Sequence, residues 1–94
     1  MMRDIALVVN ADTRAGALLT TLKAVADARI SSIELFDQYR PQKAGGDLSE
    51  LEKSLAFRVV MQDTQSTLTD AEAESMTQKL VDAATIEHRA RLRA

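Results

Sequence analysis

The chain has no cysteine, no tryptophan and a single histidine among its 94 residues. Without cysteine there are no disulfides, no thiolate nucleophile and no sulfur metal site, a usage compatible with a reducing compartment. His88 alone cannot supply a pair of imidazole ligands, and at a helix end it reads as a dipole partner or a solvated residue. One Tyr and two Phe leave the core to Leu, Ile, Val, Ala and Met, with Met61 and Met76 as its gap-fillers. Of the three glycines, Gly45 and Gly46 are not followed by Lys-Ser/Thr, so no phosphate cradle is present. No apolar run approaches the ~18 residues of a membrane span. Met1-Met2-Arg3-Asp4 passes directly into a strand pattern, so no leader is expected. The reading is one soluble domain, residues 1–94, cut from a longer chain. The formal net charge of -2 excludes the global positive field that drives unspecific binding to nucleic acid. It leaves room for a compact reader of a few bases, which relies on stacking and hydrogen bonds.

Two periodicities alternate along the chain. Ile5, Leu7 and Val9 alternate with Asp4, Ala6, Val8 and Asn10, the mark of a half-buried strand. Leu18, Leu19, Leu22, Val25 and Ala26 recur at helical spacing, so a helix capped by Asp12 or Thr13 and ending near Arg29 is expected. Ile30 to Arg40 is again strand-like and is stopped by Pro41. The segment from Pro41 to Glu52 reads as an exposed, mobile loop with at most a helical turn at Leu48 to Leu51. Leu55, Phe57, Val59 and Met61 then form a third strand, paired with the second as a long hairpin. Thr69-Asp70-Ala71-Glu72 fits a capping box, and Ala73, Met76, Leu80, Ala83 and Ala84 give the helix behind it an apolar stripe. Ala90 and Leu92 alternate with Arg89, Arg91 and Arg93 in a short last strand.

This order, β-α-β-β-α-β, folds most simply into an α+β ferredoxin-like sandwich, a four-stranded antiparallel sheet with both helices on one face. The other face is left open, and a small domain rarely exposes a whole sheet surface unless water or a partner suits it. Unpaired bases can lie on such a face where residues are small or planar and a few polar groups meet base edges. Ser54, Ala56 and Arg58 of the third strand and Asp4, Ala6 and Val8 of the first form a low platform. Asp37 and Tyr39 are two apart and project from one side. On an uninterrupted strand, however, they share parity with Ile33 and Leu35, which would expose Phe36 and turn Asp37 toward the helices. A bulge or strong twist near Phe36 is therefore expected.

Four segments, Arg3-Asp4-Ile5-Ala6-Leu7-Val8-Val9, Ile33-Glu34-Leu35-Phe36-Asp37-Gln38-Tyr39-Arg40, Lys53-Ser54-Leu55-Ala56-Phe57-Arg58-Val59-Val60 and Thr67-Leu68-Thr69-Asp70-Ala71-Glu72, resemble the ferredoxin-fold anticodon-binding domain that ends the β subunit of bacterial phenylalanyl-tRNA synthetases. The resemblance spans nearly the whole chain and lies in the order and spacing of the segments. It implies a module that grips the anticodon of tRNA(Phe), with Asp37, Tyr39, Ser54 and Ala6 as contacts and Arg3 or Arg58 as supporting cations. It also implies a cytoplasmic α2β2 parent enzyme that keeps ATP, Mg and phenylalanine elsewhere, so that this domain holds no cofactor, performs no catalysis and meets no membrane. The chain departs from the family at Pro41 and at His88-Arg89, where glycines are common.

The residues also admit plainer readings. Tyr39 suits a strand rim, Asp37 a turn cap before Pro41, Ser54 a strand start, and the arginines at 89, 91 and 93 an edge that discourages aggregation. A small-molecule regulatory domain of the same topology would need a glycine turn after the first strand, and Gly16 lies too far along. A small acylphosphatase-like enzyme would need an anion loop where Asn10-Ala11-Asp12-Thr13-Arg14 offers one Arg beside an Asp.

Overall fold

A computed structural model of the chain describes residues 1–40, 51–62 and 68–93. The elements run β1 (Met2–Asn10), α1 (Ala15–Ala24), β2 (Ile30–Tyr39), β3 (Glu52–Met61), α2 (Asp70–His88) and β4 (Arg91–Leu92). The strands form one antiparallel sheet in the order β2-β3-β1-β4. This is the ferredoxin-like arrangement expected of the element order.

Period-two alternation sets the register. β1 and β3 align without interruption from Met2 opposite Val60 to Asn10 opposite Glu52, which places Ile5 beside Phe57 and Leu7 beside Leu55. These side chains join Leu18 and Leu22 of α1 and Met76, Leu80 and Ala84 of α2 in one buried cluster. Both helices therefore lie on the odd-numbered face of β1 and β3. Met61 and Met76 are in the core as expected.

α2 begins as its sequence dictates. The Glu72 backbone N–H donates to Thr69 Oγ1 and the Thr69 backbone N–H to Glu72 Oε1, completing the capping box. Arg29 Nη1 donates to Glu72 Oε2 at 2.7 Å, tying the entrance of β2 to this helix start.

α1 corrects two expectations. Its N-cap is Arg14, with no side-chain cap from Asp12 or Thr13, and the helix stops at Ala24 rather than near Arg29. Asp27 explains the early stop: its Oδ1 accepts from the Arg29 backbone N–H at 2.9 Å and from Nε at 3.0 Å, while its carbonyl accepts from the Ile30 N–H at 2.8 Å. This local turn offers the backbone an alternative to further helix. The turn expected at Leu48 to Leu51 and most of the 41–52 loop lie outside the described residues.

α2 ends on Arg89, whose φ of 55° and ψ of 33° are left-handed. Its N–H donates to Thr85 O and that of Ala90 to Ala84 O, which turns the chain into β4 with Ala90 buried. Glycine is the usual residue for this conformation. The departure at His88-Arg89 noted in the sequence thus falls at the one non-glycine position of positive φ among the described residues.

Candidate nucleic-acid interface

The even-numbered face of β1 and β3 carries no helix among the described residues, and the sheet register arranges its side chains in three rows. The first is Glu34, Arg58 and Asp4; the second is Asp37, Ala56 and Ala6; the third is Tyr39, Ser54, Val8 and Arg91. Two alanines thus form a floor between longer side chains.

The expected irregularity lies where strand parity required it. The pairing of β2 with β3 passes from Leu35 opposite Phe57 to Asp37 opposite Ala56, so that Phe36 is the inserted residue. Beyond it, Asp37 and Tyr39 project from the open face with Ala56 and Ser54, while Gln38 takes the side of Leu55. The bulge does not bury Phe36. A bulge lets neighbouring residues share a side, and Phe36 is 49% exposed with the Arg58 guanidinium 4.8 Å from its ring centroid.

Arg58 is held in place. Its Nε and Nη2 donate to the two carboxylate oxygens of Asp4 at 3.0 and 3.3 Å. This hydrogen bonding, with the attraction between the charges, lowers the Asp4 pKa and raises that of Arg58, to which Glu34 adds a smaller attraction. At the other end of the face the Arg93 guanidinium lies 5.1 Å from the Tyr39 ring centroid. Arg93 follows β4 and donates its backbone N–H to Ala6 O, whereas Tyr39 ends β2. Two strands separate them, a span of about 14 Å at the ordinary strand spacing, so the stack bridges the face over β3 and β1. Ser54 and Val8, in the Tyr39 row, are only 4% and 1% exposed. Tyr39 itself is 48% exposed. Asp37 is exposed; Oδ1 accepts from the Gln38 backbone N–H at 2.9 Å, and Oδ2 has no partner among the described residues.

Five of the six residues singled out in the sequence, Ala6, Asp37, Tyr39, Ser54 and Arg58, therefore share this face. Arg3 does not. It pairs with Val59 on the helix-bearing side, and its Nη2 donates to Asp70 Oδ1 at 3.0 Å, at the start of α2. Its parity with Ile5 and Leu7 was the available signal. The bulge was expected to take Phe36 off the surface, yet its ring stays exposed beside Arg58, and Arg93 went unremarked as the partner of Tyr39.

The remaining features of the surface offer little chemistry. A recess of about 420 Å³ opens between the helices and is lined mainly by Thr20, Thr21, Ala24, Val25, Ala83 and Ile86. No cluster of His, Asp and Glu suited to a metal occurs among the described residues. In the β1–α1 loop the amides of Ala11 and Thr13 are committed to Leu51 O and Asn10 O, so they do not converge on an anion.

Comparison with known proteins gives a consistent answer. The family described as "Ferredoxin-fold anticodon binding domain" matches residues 1–93. The chain is 50% identical over 92 residues to the phenylalanine–tRNA ligase beta subunit of Thiobacillus denitrificans, covering 98% of this chain and 11% of that subunit. It is 42% identical over 97 residues to the same subunit of Ralstonia nicotianae, and 40% over 97 residues to that of Cupriavidus pinatubonensis, covering 98% of this chain and 12% of each subunit. The chain thus spans about a ninth of the length of these relatives. With its fold, its open face and a match from end to end, it belongs to the ferredoxin-fold anticodon-binding domain family.

Proposed function

We propose that residues 1–94 are the tRNA-binding module of a longer phenylalanine–tRNA ligase β chain, and that the open sheet face receives unpaired bases of the tRNA(Phe) anticodon. Tyr39 stacks on one base, and the Asp37 carboxylate accepts hydrogen bonds from the edge of a neighbour, a pairing suited to guanine. Ala6 and Ala56 keep the floor low enough for a flat ring. Ser54 meets the ligand after Tyr39 shifts, and Arg58 adds positive charge. The observation that carries this reading is the shared face of Asp37, Ala56, Ala6 and Tyr39, produced by the bulge at Phe36.

In this reading the module is non-catalytic. Phenylalanine, ATP and Mg are handled by the remainder of the β chain and by an α subunit in a cytoplasmic α2β2 assembly. Affinity of the isolated module is modest, because a few base contacts must offset the cost of association. Titration of isotope-labelled protein with a stem-loop carrying the phenylalanine anticodon tests it. Shifts confined to the amides of Asp37, Tyr39, Ala56 and Ala6, and absent with a scrambled loop, are expected. Unchanged spectra at millimolar RNA would end the reading.

A further inference from the structure

Phe36 is a large apolar ring and is itself the inserted residue of an edge strand, without an opposite number on β3. Its side chain is half exposed. One side of the ring faces Arg58, and that guanidinium is fixed by two hydrogen bonds to Asp4. An arginine anchored in this way is poorly placed to leave for a phosphate. It acts as a brace beneath the ring. A flat ring, backed by a cation and open to solvent on a sheet without a helix, has the form of a base-stacking platform.

We propose that Phe36, braced by Arg58 and Asp4, is a second stacking site on the open face, taking another nucleotide of the same single strand whose base stacks on Tyr39. This inference rests on the reading that the face binds RNA and adds a second ring to it. Phe36 and Tyr39 are three residues apart on β2, at most ~10 Å along the chain, so nucleotides close together in one strand can reach both rings.

The test uses this chain with the anticodon stem-loop and the variants Phe36→Ala, Phe36→Tyr and Tyr39→Ala, each checked for folding by its amide spectrum. Phe36→Ala should weaken binding at least fivefold, the low end of what a base stack contributes, and Phe36→Tyr should bind within twofold of the parent. In the parent complex, ring protons of Phe36 and Tyr39 should show nuclear Overhauser effects to two different nucleotides. If Tyr39→Ala weakens binding while Phe36→Ala weakens it less than fivefold, or if no base lies near Phe36 in the parent complex, the second site is wrong and the RNA reading stands. If the parent chain does not bind the stem-loop, both fall.

Discussion

The Arg93 guanidinium stacks on the Tyr39 ring at 5.1 Å, joining the segment after β4 to the end of β2 across two intervening strands. Tyr39 is the sole tyrosine and there is no tryptophan, so its ring is a reporter without background. Arg93→Ala should expose Tyr39 fluorescence to acrylamide more fully and shift its ring resonances. The cost in stability should be about 0.5–1 kcal/mol, the range of an exposed cation–π contact. Unchanged quenching would show that the stack does not persist in solution.

Salt provides a second check. Of the three arginines on the face, Arg58 is tied to Asp4 and Arg91 to Glu52, so with a formal charge of -2 RNA affinity should fall gently with ionic strength. For one neutralised phosphate of a single strand the slope of log K against log salt is about -0.7. Measured by anisotropy between 50 and 200 mM salt, a slope steeper than about -4 would mean that backbone charge rather than base contact dominates.

Acid should weaken the fold through the β2 entrance. Hydrogen bonds from the Arg29 side chain, then from its backbone N–H, lower the Asp27 pKa to about 2. An unfolded aspartate titrates near 3.9, so the folded state favours the ionised carboxylate. Its contribution is present above about pH 4 and is lost as pH falls toward 2. In urea titrations at pH 5, 4, 3 and 2, Asp27→Asn should be less stable than the parent at pH 5, and the gap should close in acid. A gap that stays constant would refute the linkage.

Arg89 holds a left-handed conformation that disfavours a side chain by about 1 kcal/mol. Arg89→Gly should therefore raise stability by about 0.5–1 kcal/mol, the relief being partly offset by a more flexible unfolded chain. Thermal unfolding would record a higher midpoint. A lower midpoint would mean that the Arg89 side chain contributes more than its backbone costs.

Much of this architecture was legible because alternation and capping are local. Ile5, Leu7 and Val9 marked the core side of β1, and Thr69 with Glu72 marked the start of α2. Parity alone required an irregularity at Phe36. What escaped depended on competition or distance. Asp12 and Thr13 are good cap residues, yet Arg14 occupies the cap position, and the hydrogen bonds of Asp27 ended α1 where apolar spacing still allowed helix. The resemblance offered Arg3 or Arg58 as a supporting cation, although the parity of Arg3 put it with Ile5. The Arg93–Tyr39 stack could not be read locally, since it exists only once strand order brings the end of the chain over the platform.

β2 has two insertions, one between Ile30 and Ser32 and one between Leu35 and Asp37, and it lies at the rim of the sheet with β3 as its only partner among the described residues. A regular ten-residue rim would offer an incoming chain an unbroken ladder of donors and acceptors. Here the irregularities break that ladder into pieces of about four residues, too short and too twisted for another strand to zip along. The same distortion that lifts a ring toward the solvent therefore also guards the molecule against runaway self-association.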